Sequence, residues 1–377
     1  MKTRVVGLRD LDRELLHGWR DLVESALEPN PFYEPEPVLA AAELLPDGDR
    51  AGLLVVQHGA ELVLALPVLR RRRFRQVPVP ALVSWQYPHC FSGVPLVRRG
   101  REHEAWAEVL DEGKHLSWES WLVLSWLSLQ APVAVALQDV LAARRVRPTT
   151  LDVFGRPVLR RRPDCTYLDG RMSSRHRKSL RRLGRRLEEQ LGGDLELVDL
   201  AASGDVAACV EELLRVEATG WKGRSGTAMA CRPGDAAWFR RVAGAMAEQG
   251  RLQLWVLRAG GRVAAAQVNI LSVGTAFRFK IAYDADLARF SPGLQLELEM
   301  VEEFHRDLRL TGVDSCGNYD IKVSAQLYPD RDVVGTLVVP LRGRLGQAAA
   351  GSASVATRVR AARLAARARA ERAEASA

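Results

Sequence analysis

The chain has 377 residues, 47% hydrophobic and 27% charged, enough apolar material for two cores and too little polar excess for a disordered chain. The formal net charge of +8 is no argument for a nucleic-acid partner, because from Arg342 onward eight arginines face two glutamates and six of the eight net charges lie in that tail. Five cysteines (Cys90, Cys165, Cys209, Cys231, Cys316) are odd in number, scattered and without a C-x-x-C pair, which argues against a disulfide framework or zinc site and suits reduced thiols in a cytoplasm.

The N-terminal stretch "MKTRVVGLRDLDRELL" carries charges throughout and has no apolar h-region, so no signal peptide is expected. A helical pattern (Leu11, Leu15, Trp19, Leu22, Val23, Leu27) stops at the four prolines of "EPNPFYEPEP". A short helix over Val38 to Leu45 follows, then "AGLLVVQ" and "ELVLALPVL", a β-hairpin turning at His58-Gly59-Ala60. After a Pro-rich loop and a helix from Glu102 to Asp111, the apolar window "WLVLSWLSLQAPVAVAL" reads as a buried strand joined to a helix. Its Ser125, Ser128, Gln130 and Pro132 interrupt the ~20 apolar residues that a membrane span needs.

The second half follows a similar order. A helix from Ser174 to Leu191 precedes the strand "LELVDL" and helices from Asp205 to Thr219 and Asp235 to Gln249. Three antiparallel strands turn at Gly260-Gly261 and near Gly274, and the third runs into "YDADLARFSPGLQLELEM". A helix from Leu294 to Leu308, the strand "GVDS" and the strand "DVVGTLVVP" complete the order before a low-complexity Ala/Arg tail.

In the stretch from Tyr283 to Met300, Leu294, Leu298, Val301, Phe304 and Leu308 share one helical face. Ser291 suits the N-cap, Pro292 the first helical position, and Gly293 leaves neighbouring amides unshielded. Such a terminus either merely caps the helix or, with Arg289 nearby, forms an anion site fit for a pyrophosphate. The segment Arg175 to Arg186 carries seven basic residues on a helix whose Leu180, Leu183 and Leu187 share a face. It is either a solvated face, or Arg177, Lys178 and Arg181 meet phosphates.

The strings "SSRHRKSLRRLGRRLEE", "EATGWKGRSGTA", "KIAYDADLARFSPGLQLELEM" and "VDSCGNYD", with the element order around them, resemble the GNAT acyltransferase fold over roughly residues 160 to 340. The chain is similar to a two-module subgroup that includes acetyltransferases linked to bacterial cellulose and exopolysaccharide synthesis and the Fem-type peptidyltransferases. It departs from the usual Gln/Arg-x-x-Gly-x-Gly/Ala loop, since Pro292-Gly293 leaves one fewer amide. Where the subgroup often has Trp before an acidic-Arg pair, this chain has Leu327 to Arg331.

The resemblance implies an α/β (α+β) fold class with two tandem GNAT-like modules, each a mixed, largely antiparallel sheet flanked by helices: a degenerate module at 1–160, the acyltransferase module at 161–341 and the basic tail at 342–377. It implies acetyl-coenzyme A or another acyl-coenzyme A as co-substrate, without a metal, bound by Phe279, Ile281, Tyr283, Arg289, Ser291, Pro292, Gly293 and Leu294. Acceptor contacts would come from Arg177, Lys178, Arg181, Trp221 and Lys222. A backbone N–H of the strand from Phe277 to Tyr283 would hold the oxyanion. Glu217 or Asp314 would take the proton, and Tyr319 or Tyr328 would supply one to the thiolate. The implied activity is cytoplasmic N- or O-acylation of a small polar or sugar-type acceptor in envelope polysaccharide metabolism. The alternatives are a Fem-type aminoacyl-tRNA-dependent transferase, against which the near-neutral body counts, and a non-catalytic module whose tail meets an anionic surface weakly.

Overall fold

The computed structural model describes residues 1–112, 119–317 and 326–341, with Ser203 and Trp221 as backbone only. The first half contains β1 (Lys2–Gly7), α1 (Arg13–Ser25), α2 (Pro35–Leu44), β2 (Ala51–His58), β3 (Glu61–Arg71), β4 (Ala81–Ser84), β5 (Leu96–Val97), α3 (Glu102–Glu112), β6 (Trp121–Ser128), α4 (Pro132–Ala143) and β7 (Thr149–Arg160). The second contains α5 (Ser174–Leu191), β8 (Glu196–Asp199), α6 (Val206–Thr219), α7 (Trp221–Arg224), α8 (Pro233–Glu248), β9 (Leu252–Ala259), β10 (Arg262–Ser272), β11 (Thr275–Tyr283), α9 (Pro292–Arg306), β12 (Gly312–Asp314) and β13 (Asp330–Pro340).

These strands form one mixed sheet in the order β1-β2-β3-β4-β6-β13-β7-β12-β11-β10-β9-β8, with β5 attached to β3. Among the described strands only β4/β6 and β11/β12 are parallel pairs. β7 follows β6 in the chain but does not pair with it. Between them lies β13, with Pro340 opposite Trp121 on one edge and Val338 opposite Thr149 on the other. The far edge of β7 pairs with β12, Val158 opposite Asp314. The continuous apolar run in β13, buried from Val334 to Pro340, is what a strand covered on both faces requires.

Helices cover the sheet, and the main core runs through both halves. Phe32 of the first half packs edge-on against Phe277 of β11, ring centroids 5.9 Å apart. Trp238 of α8 donates its indole N–H to Pro37 O in α2 at 3.0 Å, and Arg251 reaches the buried Glu34 carboxylate at 2.6 Å.

Several elements were not anticipated by sequence: β1, where a helix was expected to open the fold, the short strands β4 and β5 in the expected Pro-rich loop, β7, and the short helix α7. Two details of the α9 stretch also change. The helix ends at Arg306, so Leu308 is not on its buried face but 85% exposed. Ser291 occupies the N-cap position but adopts φ 53°, ψ 47° and makes no side-chain cap bond. Left-handed backbone turns its hydroxyl away from that role.

Candidate active site

The site begins with a defect in β11. Lys280 pairs with Val268 and Arg278 with Asn269, so Phe279 is an extra residue in the ladder, a β-bulge. Successive side chains therefore serve one face: Phe279 stacks on Phe239 of α8 (centroids 5.7 Å) while Lys280 reaches toward Glu217 of α6 (3.7 Å). On the opposite edge β12 accompanies β11 only from Thr275 to Phe277. Beyond the bulge, from Phe279 to Tyr283, no described strand pairs with that edge, and the strand ends close to the start of α9, where Gly293 adjoins the Tyr283 ring.

At that start, Pro292 has no N–H, and the Leu294 and Gln295 amides donate to Ser291 O at 3.1 and 3.2 Å. The Gly293 amide has no backbone partner of this kind among the described residues. A Cβ on Gly293 would stand 3.4 Å from the Tyr283 ring and 4.0 Å from Ile281, which places these three beside one another with Pro292 and Leu294 adjoining. Arg289 lies over the Phe290 ring and donates to Gln190 of α5 at 2.8 Å.

Glu217, at the end of α6, is buried beneath this edge. Its Oε1 accepts from Lys222 Nζ (3.0 Å) and its Oε2 from the Met229 amide (2.9 Å). Burial works to raise its pKa, but Lys280, Lys222 and the Met229 amide outweigh that and hold it below the usual carboxylate range. Burial lowers the Lys280 ammonium in turn, Glu217 acting against the shift and Lys222 with it. Lys222 also donates to Ile281 O at 3.4 Å. One carboxylate thus faces two lysines, Lys222 of α7 and Lys280 of β11. Close by, His89 from the first half stacks on Trp238 with centroids 4.7 Å apart, and its burial, against the pull of Asp235 at 3.5 Å, lowers its pKa.

The other expected catalytic residues lie apart from that pair. Asp314 closes β12, accepting from the Cys316 amide (2.7 Å) and from Arg156 Nη1 (3.3 Å). Tyr328 is buried under the Arg278 guanidinium, 5.5 Å from its ring, and burial pushes its phenol well above the ordinary value. Arg278 is itself ion-paired with Glu297 of α9, both buried. Tyr319 lies outside the described residues. On α5, Leu180 and Leu187 are buried and Leu183 partly so, while Arg177, paired with Asp169, lines a groove of about 610 Å³ with Lys178, Arg181 and Arg185. Trp221 opens α7, but its side chain is not described.

Sequence reasoning missed Lys280, His89 and Arg156. A lysine inside a strand was the one available signal, and it shows its purpose only once the bulge is known. Among the described residues no group of three or more His, Cys, Asp and Glu could hold a metal ion, and no helix is long and apolar enough to cross a membrane.

Residues 174–322 match the family model described as an acetyltransferase (GNAT) domain. No curated protein matches the chain. Among solved structures it is similar to a conserved protein of unknown function from Bacteroides thetaiotaomicron (11% identity, 87% of this chain and 97% of that one, TM-score 0.50). It is also similar to the C-terminal domain of a putative lysylphosphatidylglycerol synthetase from Agrobacterium fabrum (12% identity, 90% and 96%, TM-score 0.50). At such identities the likeness is one of fold.

Proposed function

Because the chain carries a GNAT acetyltransferase domain over residues 174–322 and is an acyltransferase, we propose that an acyl-coenzyme A lies along the free edge of β11 and that its acyl group passes to an amine or hydroxyl of a small polar or sugar-type acceptor. The observation that supports this reading is that β12 accompanies β11 only as far as Phe277, next to the bulge at Phe279, which leaves the edge from Phe279 to Tyr283 unpaired among the described strands. The pyrophosphate would rest on the Gly293 amide at the positive end of α9, with Arg289 beside it. A backbone N–H of β11 at the bulge would donate to the thioester oxygen as the acceptor nitrogen or oxygen attacks the carbonyl carbon. The new N–C or O–C bond forms, the C–S bond breaks, and the proton lost by the nucleophile ends on the coenzyme thiolate.

The surroundings reassign the expected roles. Glu217, held ionised by two lysines, is a weak proton acceptor and serves better to position Lys222 and Lys280 against anionic groups. Asp314 is engaged by Arg156 and the Cys316 amide, and Tyr328 is a weakened acid. His89, near the bulge and kept neutral by burial, remains as a candidate proton acceptor, weakened by the same burial that lowers its pKa. The acceptor would belong to cytoplasmic envelope polysaccharide metabolism. We keep the sequence division into modules at 1–160 and 161–341 as part of the proposal. The basic groove on α5 favours a second reading, with aminoacyl-tRNA as donor.

Isothermal titration with acetyl-coenzyme A tests the proposal. Gly293→Glu has room for its Cβ and places a carboxylate at a helix N-terminus, so stability should hold or rise by ~0.3 to 1 kcal/mol. The same carboxylate occupies the anion site, so coenzyme affinity should fall more than about tenfold, ~1.4 kcal/mol. Equal affinities would remove the pyrophosphate from this loop. A wild type that ignores acetyl-coenzyme A but accepts aminoacyl-tRNA would establish the second reading.

A further inference from the structure

A second cavity, of about 510 Å³, lies where the halves meet, between β6, β7, β12 and β13; its wall includes Glu28, Trp126, Arg156, Asp314 and Asp332. The Arg156 side chain is 3% exposed and spends one nitrogen, Nη1, on Asp314. Its Nε and Nη2 have no hydrogen-bond partner among the described residues. These two nitrogens point the same way and form the edge of a guanidinium that grips both oxygens of a carboxylate. The same edge is filled elsewhere in this molecule, where Arg240 Nε and Nη2 hold Glu211 at 2.5 and 2.9 Å. A buried cationic fork left empty costs free energy that a ligand's oxygens would recover.

The rest of the wall restricts what that ligand can be. Three carboxylates, Glu28, Asp314 and Asp332, face the cavity against Arg156 and Arg160, the latter already on Asp332. Arg161 is committed to the carbonyls around the end of α9. A plain carboxylic acid would bring a further negative charge beside these carboxyl groups, and a plain amine would leave the fork empty. A molecule with both groups satisfies both ends. Glu28 and Asp332 are close enough for the charge of Asp332 to help raise the pKa of Glu28, so a cation between them relieves a repulsion already present.

We propose that this cavity binds a small zwitterion of the α-amino-acid type, its carboxylate on the Nε/Nη2 edge of Arg156 and its ammonium between Glu28 and Asp332. Trp126 supports the site. It sits at a bulge in β6 with φ 55°, its ring 5.9 Å from the guanidinium carbon. Both fork nitrogens are closed to bulk water here, so binding requires the Arg156 side chain to shift toward the cavity. The site stands independently of acyl transfer.

Isothermal titration without coenzyme, using glycine, L-alanine and L-glutamate, tests it, with acetate, ethylamine and inorganic phosphate as controls. At least one amino acid should bind about tenfold or more tighter than each control. Arg156→Lys keeps the charge and loses the fork, and should weaken that binding at least about tenfold. Should this variant fail to fold, Asp332→Asn, at the other end of the cavity and 31% exposed, should weaken it likewise. The proposal is overturned if no amino acid outbinds the controls, or if either variant folds and binds as the wild type does.

Discussion

Replacing Glu28 by Gln should change the pH dependence of stability in a direction set by burial. α4 has Ala131 at its N-cap position and no side-chain cap of its own; the Glu28 carboxylate, 105 residues away in sequence, accepts from the Val133 amide at 2.6 Å instead. Burial raises the pKa of Glu28 from 4.5 to about 7, the Val133 bond opposing and Asp332 adding to the rise. A folded-state pKa above the unfolded value means a contribution fully present below pH ~4.5 and lost as pH climbs through ~7. The span corresponds to roughly 3 kcal/mol, and partial exposure brings it to about 2 to 3. The Gln amide keeps the oxygen that accepts from Val133 and cannot charge. Urea unfolding at intervals from pH 5 to 8 should therefore show the variant gaining on the wild type steadily with pH, since the other titrating groups cancel in the difference. A constant difference would refute the burial argument, and a variant that loses ground with rising pH would mean that the ionised carboxylate's bond to α4 outweighs its desolvation.

Two further outcomes follow from contacts that tie elements together. Arg251→Ala leaves the Glu34 carboxylate buried with the Ser272 hydroxyl (2.8 Å) as its remaining partner, and should cost about 3 to 5 kcal/mol at neutral pH. Glu34 already has a pKa raised by burial, so urea melts at lower pH should show the deficit shrink as it protonates; an equal deficit at both pH values would contradict this. Leu187→Ala empties a fully buried position against Ala264, Leu287 and Phe290, for about 2 to 5 kcal/mol by urea melts. Because Phe290 precedes Ser291, coenzyme affinity should fall as well, and a loss below 1 kcal/mol would mean that the site collapses around the gap.

Local signals were read well and long-range ones were not. α5 spans Ser174–Leu191 as its pattern indicated, because Ser173 caps it and Gly192 ends it at φ 75°. The turns of β9–β11 fall at Gly260-Gly261 and Gly274, where positive φ demands glycine. β1 escaped notice because its residues after Thr3 are half-exposed and lack strict alternation. β7 escaped because Asp152, at φ 51°, shifts the register beside β13. The bulge at Phe279 sets the direction of Lys280, yet it leaves no mark in composition or periodicity. Arg156 looks like any of the chain's many arginines until its burial is known.

The position of β13 between β6 and β7 also orders events during synthesis. β6 and β7 are made early, about two hundred residues before the strand that separates them, and until β13 emerges each offers a bare, apolar edge. Pairing β6 directly with β7 is the tempting mistake, since only the α4 connection separates them in sequence, a far smaller loop than the one β13 must close. Escaping it would mean breaking a ladder already formed. The polar residues Asp152 and Arg156 on β7, and the bulges at Trp126 and Asp152 that fit each strand to β13, work against that premature pairing.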